Sequence, residues 1–203
     1  MTIKAVIFDI GNVALYFDHH KATKKMAKIL DLPEKKVFEV INGDKNKFTN
    51  SYELGASNKV YWGEAADLLG VKKIPEKRFD QLWCSIFKPN KTAISLIKKL
   101  RKNYKTAFLS NTGRLHKVYF QKYGLYELVD VKIYSFKVGV RKPHPKIYKE
   151  ALKRLKVRPN EAIFIDDLKE NAEAAKKLGI HGIHFKNNNQ LRKDLKKLGV
   201  KIW

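Results

Sequence analysis

Carboxylates, a hydroxyl and a lysine occur at four widely separated places in this chain, three of them at the ends of apolar runs. Asp9 follows AVIF, Ser110 ends KTAFLS, Lys142 lies in VGVRKPHP, and the pair Asp166 and Asp167 follows AIFI. Apolar runs of this length predict strands, and open parallel sheets bind ligands at the carboxyl ends of their strands. Gathered at one edge, these groups are typical of phosphate and metal chemistry.

The carboxylates have both catalytic and structural interpretations. Asp9 could attack phosphorus or ligate a metal, and Gly11 permits a tight loop close to a ligand, but Asp9 could also cap a helix or turn. Two adjacent like charges at Asp166 and Asp167 are costly unless a cation or proton neutralises them. Hard oxygen ligands of this kind suit Mg²⁺, whereas the alternative for Asp167 is an N-cap of the helix that contains Asn171.

The hydroxyl and the lysine are also ambiguous when taken singly. Ser110 with the backbone N–H groups after it could cradle a phosphate, although Ser-Asn-Thr is also an ordinary turn sequence. Lys142, stiffened by Pro143, could neutralise a phosphate and a nearby carboxylate, but it could equally be one surface lysine among many.

Regular alternation of strands and helices begins at residue 89. The predicted elements are helices at 92–101, 114–123, 145–155, 170–178 and 191–198 and strands at 105–110, 131–135, 162–166 and 182–185. This order predicts right-handed βαβ units, and so an α/β fold with a mainly parallel sheet covered by helices on both faces. We expect residues 1–13 and 89–203 to form this core, and residues 14–88 to be an inserted α-helical cap over its active end.

Size and composition predict a folded protein without disulfides. The chain has 203 residues, 44% of them apolar, and a single cysteine, Cys84, whose apolar surroundings indicate an inert buried thiol. The apolar run from Ile3 to Phe8 is too short for a signal peptide or a membrane span. We therefore expect a cytoplasmic protein without membrane contact.

The formal net charge of +23 has two interpretations. Lysines at 21, 24, 25 and 28 share one predicted helix face, opposite an apolar face, which indicates a solvated surface. The other interpretation is contact with RNA or another polyanion.

Taken together, the four motif regions resemble the haloacid dehalogenase superfamily, whose members are mostly Mg²⁺-dependent phosphatases. The resemblance runs from end to end and implies a Rossmann-like core with a helical cap of the first type. It implies that Asp9 attacks a small phosphorylated metabolite and forms an aspartyl-phosphate. Catalysis would also use Lys142 and Ser110. The protein would be a monomer or a small homo-oligomer.

The resemblance also implies two sets of ligands. Mg²⁺ would be held by Asp9, the backbone carbonyl of Gly11, Asp167 and Asp166. Substrate would contact Gly11, Asn12, Ser110, Asn111 and Lys142. The segments FDIGNV, SNTGRLH, GVRKP and IDDLKENAEAA are similar to those of a branch that includes a bacterial α-D-glucose-1-phosphate phosphatase. This similarity favours a sugar phosphate as substrate.

One departure from the family pattern concerns proton transfer. Most phosphatases of the superfamily carry a second Asp two residues after the nucleophile, and this chain has Gly11 there. General acid–base help is worth roughly two to four orders of magnitude in rate. Asp18 and His116 are candidate proton donors.

Four cap residues could select the substrate or form the cap core: Tyr16, Tyr52, Glu53 and Trp62.

Two other functions compete with phosphatase activity. A haloacid dehalogenase needs no Mg²⁺, so the carboxylate pair argues against it, and dehalogenases carry Tyr at the position of Gly11. A catalytically weak domain that binds RNA or another polyanion would account for the charge and for Gly11, but RGG tracts and RNP-like aromatic motifs are absent from the sequence.

Overall fold

The computed structural model describes residues 2–42, 51–72 and 87–202. Its strands are β1 (Ala5–Phe8), β2 (Leu15–Tyr16), β3 (Lys88–Pro89), β4 (Lys105–Ser110), β5 (Val131–Tyr134), β6 (Ala162–Asp166) and β7 (His181–His184). Its helices are α1 (His19–Leu30), α2 (Glu34–Asn42), α3 (Asn58–Leu69), α4 (Lys91–Leu100), α5 (Arg114–Lys122), α6 (Ser135–Val138), α7 (Pro145–Leu155), α8 (Lys169–Lys177) and α9 (Asn188–Lys197).

Five strands form one parallel sheet in the order β5-β4-β1-β6-β7, as the alternation of strands and helices predicts. Phe8 at the end of β1 is in register with Phe108 and Ile165 on the two neighbouring strands. The carboxyl ends of β1, β4 and β6 therefore meet at one edge of the sheet, with β1 at its centre.

Successive side chains of a strand point to opposite faces of the sheet, and both faces are buried here. Val6 and Phe8 join one apolar cluster, which α4, α5 and α9 complete. Ala5 and Ile7 join the other, which α7 and α8 cover. Because helices cover both faces, the strands are apolar along nearly their whole length.

The elements begin and end close to their predicted positions. Strands β4 and β6 and helix α7 match their predicted ranges, while α9 begins at Asn188 because the Asn187 side chain caps it by accepting from Gln190 N. Ser135 was predicted to end a strand and instead begins the short helix α6, where it is buried.

The helices between β1 and β4 include a group with an apolar cluster of its own. Met26, Val37, Trp62 and Leu69 are buried within it. The chain enters and leaves this region through β2 and β3, which pair antiparallel with each other. The boundaries at 14 and 88 stay a prediction, and Cys84 lies outside the described residues. No helix of the described chain is long and apolar enough to cross a membrane.

Candidate active site

Three predicted site residues lie at the carboxyl edge of the sheet. Asp9 directly follows β1, and its backbone N–H donates to the carbonyl of Ile165 at 2.8 Å. Ser110 is the last residue of β4 and Asp166 the last residue of β6, and all three side chains are buried. The sheet register thus brings together groups that are more than 50 residues apart in the sequence.

Lys142 joins these carboxylates from the loop between α6 and α7. Its Nζ lies 2.8 Å from Asp9 Oδ1 and 2.6 Å from Asp166 Oδ2, and its side chain is 2% exposed. Burial by itself would lower the pKa of Lys142, but Asp9 and Asp166 raise it above its ordinary value, so the amine stays charged. The Asn111 side chain holds this loop by donating to the Lys142 carbonyl at 3.0 Å and accepting from its N–H at 2.8 Å.

The two adjacent carboxylates have different environments. Asp166 is fully buried, and its Oδ1 accepts from Leu168 N and Asn171 Nδ2, each at 2.9 Å, while its Oδ2 faces Lys142. Asp167 is half-buried and lines a cavity. Helix α8 has Leu168 at its N-cap position without a side-chain cap bond, so the interpretation of Asp167 as an N-cap is wrong.

Asn12 orients Asp167 from the loop after β1. Its Nδ2 donates to Asp167 Oδ2 at 3.0 Å. Asn12 has φ of +50°, in the left-handed region, which Asn tolerates better than most residues. Asn12, which was predicted to contact substrate, therefore also holds the Asp167 carboxylate, which lines a cavity.

The carboxylates of Asp9, Asp166 and Asp167 form a cluster that suits a divalent cation. One oxygen from each lies within 4.8 Å of the others. The pKa of Asp9 is raised to about 7, mainly by burial and also by Asp166 and Asp167, against the opposing charge of Lys142. Burial also raises the pKa of Asp167. Crowded, desolvated carboxylates of this kind fit Mg²⁺, because a hard cation would relieve their repulsion.

Phe17 occupies the space beside Gly11. A Cβ atom built on Gly11 would lie 2.9 Å from Phe17 Cε1 and 3.6 Å from Asp9 Oδ2. A contact of 2.9 Å is too short for two carbon atoms. An aromatic ring thus fills the position into which a side chain at residue 11 would extend.

Two adjoining cavities open at this edge. The polar cavity, of about 360 Å³, is lined by Asp9, Gly11, Asn12, Phe17, Glu53, Ser110, Asn111, Arg141, Lys142, Asp167, Leu168 and Asn171. The aromatic cavity, of about 120 Å³, is lined by Ile10, Gly11, Phe17, His19, Glu53, Phe87, Ser110, Asn111, Thr112, His116 and Phe120. The walls common to both are Gly11, Phe17, Glu53, Ser110 and Asn111.

The two predicted proton donors have different locations. Asp18 is exposed, caps α1 by accepting from Lys21 N at 3.2 Å, and lines neither cavity. His116 lines the aromatic cavity, with Nδ1 3.1 Å from Thr112 Oγ1. Burial, together with nearby His19, lowers the pKa of His116 to about 4, so the imidazole is neutral at pH 7.

Of the four cap residues considered for substrate selection, Glu53 lines both cavities. Tyr52 and Trp62 are buried in the cluster of α1 to α3, and Tyr16 is exposed outside both cavities. Glu53 Oε2 lies 2.5 Å from Arg141 Nε. Burial raises the pKa of Glu53 above its usual value, against the opposing effect of Arg141.

Sequence reasoning did not assign several of these residues. Ser135 Oγ donates to the Glu53 carbonyl at 2.7 Å and accepts from Thr112 N at 2.9 Å, which joins the cap to the loop after Ser110. Arg141 adjoins Lys142 in the sequence, and that proximity was a usable signal. Ser135 lies in an ordinary strand-like run and carried none.

The fold and the site define an α/β protein with a cluster of three carboxylates at the carboxyl edge of a parallel sheet. Residues 3–179 match the model of the haloacid dehalogenase-like hydrolases, and the chain belongs to that family. Over 201 residues it is 27% identical to D-ribitol-5-phosphate phosphatase of Bacteroides thetaiotaomicron, covering 95% of this chain and 97% of the relative.

Other similarities cover a segment or the fold. Over 64 residues the chain is 42% identical to Flavin mononucleotide hydrolase 1 of Arabidopsis thaliana, 32% of this chain but only 26% of that relative. A crystal structure of a haloacid dehalogenase family enzyme from Bacteroides thetaiotaomicron, in complex with magnesium and inorganic phosphate, superposes with a TM-score of 0.80. The identity is 24%, over 91% of this chain and 94% of the other, and this likeness concerns the fold.

Proposed function

We propose that this protein is a Mg²⁺-dependent phosphatase that hydrolyses a small phosphomonoester through an aspartyl-phosphate on Asp9. The main observation in support is that Asp9, Ser110 and Lys142 line one polar cavity, with Lys142 Nζ 2.8 Å from Asp9 Oδ1. The similarity to a phosphatase over nearly the whole chain supports the same reaction.

The metal position follows from the carboxylate geometry. Asp9, Asp167 and the carbonyl of Gly11 would hold Mg²⁺, while Asp166, whose oxygens are engaged by Lys142, Leu168 N and Asn171, would support the site from behind. Bound there, Mg²⁺ supplies positive charge against the carboxylates and the phosphoryl oxygens.

Asp9 performs the first covalent step. A carboxylate oxygen of Asp9 forms a bond to phosphorus as the bond from phosphorus to the ester oxygen breaks. The Ser110 hydroxyl donates to a phosphoryl oxygen, and the Lys142 ammonium stabilises the charge on the transferring group. Water then attacks phosphorus, the Asp9–phosphorus bond breaks, and inorganic phosphate is released.

Glu53 supplies the proton that the leaving oxygen needs. Residue 11 has no side chain, and Glu53 is the acid common to the walls of both cavities. Its pKa is raised by burial, which favours the protonated form that a general acid requires. Glu53 gives its proton to the leaving oxygen and regains one from the attacking water, so the protons balance over the cycle.

Two finer assignments rest on the resemblance and on the charge. A sugar phosphate is the substrate class implied by the resemblance, and the name of the D-ribitol-5-phosphate phosphatase is in line with it. Binding of a polyanion through the surface lysines stays a prediction that rests on the net charge of +23.

Phosphate release from p-nitrophenyl phosphate, with Mg²⁺ or EDTA, tests the proposed function. We expect Mg²⁺-dependent turnover that Asp9→Asn abolishes while the circular dichroism spectrum is unchanged. Asp67→Asn is the matched control, because Asp67 is an exposed aspartate on α3. Full activity of Asp9→Asn would disprove the covalent mechanism.

A further inference from the structure

The aromatic cavity beside Gly11 has a mainly apolar lining. Its apolar walls come from both the core and the segments that enter the insertion: Ile10, Phe17, Phe87 and Phe120. Two imidazoles, His19 and His116, complete the aromatic part of the wall. Burial lowers the pKa of both, to about 4 for His116, so neither adds positive charge at neutral pH.

Several polar groups of this lining are engaged with neighbouring groups. Thr112 Oγ1 lies 3.1 Å from His116 Nδ1, and both polar atoms of the Asn111 amide bond to the backbone of Lys142. The Glu53 carboxylate faces Arg141. Ser110 is assigned to the phosphoryl group. Thr112, Asn111 and Glu53 therefore offer few further hydrogen bonds to the hydroxyls of a polyol.

The position of the cavity assigns it to the leaving group. It shares Gly11 and Ser110 with the polar cavity that holds Asp9 and Lys142, so it adjoins the place where the phosphoryl group reacts. Its volume of about 120 Å³ is close to that of an apolar protein cavity of roughly 150 Å³ that binds benzene. It therefore accommodates one small ring or a short branched chain.

We infer that the preferred substrates are phosphomonoesters of compact apolar alcohols, with the apolar group seated among Phe17, Phe87 and Phe120. This inference rests on the proposed phosphatase function, and it replaces the sugar phosphate implied by the resemblance with a different substrate class. A polyhydroxylated leaving group would bury hydroxyls without partners, and each of these lowers affinity by about tenfold or more. An apolar group of the same size loses nothing and gains burial.

Two alkyl phosphates of equal size test the inference. Isopentyl phosphate and glycerol 3-phosphate both release primary alcohols with six non-hydrogen atoms, so they differ mainly in polarity. We expect kcat/KM for isopentyl phosphate to exceed that for glycerol 3-phosphate by at least about tenfold. Equal or better turnover of glycerol 3-phosphate, or of D-ribitol 5-phosphate, would overturn the inference.

Substitutions at Phe87 locate the preference in this cavity. Phe87→Asn places an amide in the wall and should reduce the ratio of the two kcat/KM values, whereas Phe87→Leu keeps the wall apolar and should retain it. Phe38→Asn is the matched control, because Phe38 is a half-buried aromatic residue that stacks on His20 away from the cavity. If the ratio of the two kcat/KM values is the same in Phe87→Asn as in Phe87→Leu, Phe38→Asn and wild type, the apolar group does not bind in this cavity.

Competitive inhibition by inorganic phosphate separates an effect on the phosphoryl site from an effect on the leaving-group cavity. Its inhibition constant reports the phosphoryl site and should be the same in wild type and in the Phe87 variants if only the leaving-group wall has changed. If p-nitrophenyl phosphate gives no Asp9-dependent turnover, the proposed function fails and this inference falls with it. If p-nitrophenyl phosphate is hydrolysed and the two alkyl esters do not differ, the function stands and the inference is wrong.

Discussion

Gly113 lies directly beneath the ring of Tyr52, so that a Cβ atom at residue 113 would be 2.1 Å from Tyr52 Cε1. Gly113 follows Thr112 in the loop after Ser110, and Tyr52 precedes Glu53. Ser135 bridges the same two segments, from the Thr112 N–H to the Glu53 carbonyl. Close approach of the cap to this loop therefore depends on the missing side chain at residue 113.

Gly113→Ala should lift the cap from the core. The backbone at 113 is extended, so the cost comes from the clash with Tyr52 and not from strained dihedral angles. Displacement of Glu53 by about 1 Å would lower kcat/KM by about 100-fold. Gly63→Ala is the control, since a Cβ at 63 meets no atom within 4 Å. Partial recovery in Gly113→Ala combined with Tyr52→Ala would identify the clash; no recovery would argue against it.

Glu53→Gln should affect substrates according to their leaving groups. An alkoxide needs a proton as it departs, so kcat/KM for an alkyl phosphate should fall by about 100-fold or more. p-Nitrophenolate leaves without a proton, so its ester should be little affected. Glu64→Gln, on the exposed face of α3, provides the control. An equal loss for both esters would mean that Glu53 acts only by holding the cap to Arg141.

Restoring an acid at residue 11 should require removal of the Phe17 ring. Gly11→Asp alone places atoms where Phe17 Cε1 lies, and overpacking of this kind costs about 1–3 kcal/mol. Gly11→Asp combined with Phe17→Ala has room for the carboxyl group. In a Glu53→Gln background, which lacks the proposed acid, we expect the double variant to hydrolyse alkyl phosphates about 100-fold faster than Phe17→Ala alone. Equal rates would show that an acid at residue 11 cannot reach the leaving oxygen.

The neighbouring aspartates should give different phenotypes. Asp167→Asn removes a charge that faces the cavity, so the Mg²⁺ concentration for half-maximal activity should rise at least about tenfold with little change in stability. Asp166→Asn removes one of the two carboxylates paired with the buried Lys142 and should lower the free energy of unfolding by about 1–3 kcal/mol. Denaturant unfolding and Mg²⁺ titration of both variants test this contrast. Equal effects on metal affinity would place Asp166 in direct contact with the cation.

His116 should make stability depend on pH below neutrality. Its pKa is about 4 in the folded protein and near the ordinary 6.5 when unfolded, so the unfolded chain binds the extra proton first. Stability is therefore full above pH 6.5 and declines as pH falls toward 4, by at most about 1.4 kcal/mol per pH unit from this group. Urea unfolding of wild type and His116→Gln between pH 4 and 7 measures it. The same slope in both proteins would contradict the assignment.

The sequence alone determined the sheet and the position of most charged groups within it. Apolar runs such as AVIF and AIFI specify buried strands because a strand covered on both faces must be apolar throughout, and parallel pairing aligns their carboxyl ends. Asp9, Ser110 and Asp166 therefore reach one edge whatever the details of packing. Lys142 was assigned a role through the resemblance, because a lysine in a proline-flanked loop could also lie at the surface, and its ion pairs depend on the fold.

The tertiary structure alone decided how the cap completes the site. The Ser135–Glu53 contact joins residues 82 positions apart, and no local pattern encodes such a contact. In the same way, Gly11 shows in the sequence only that a side chain is missing, whereas the folded chain shows the ring of Phe17 in its place. Side-chain packing between distant segments depends on the positions of both backbones, which the periodicity of either segment does not contain.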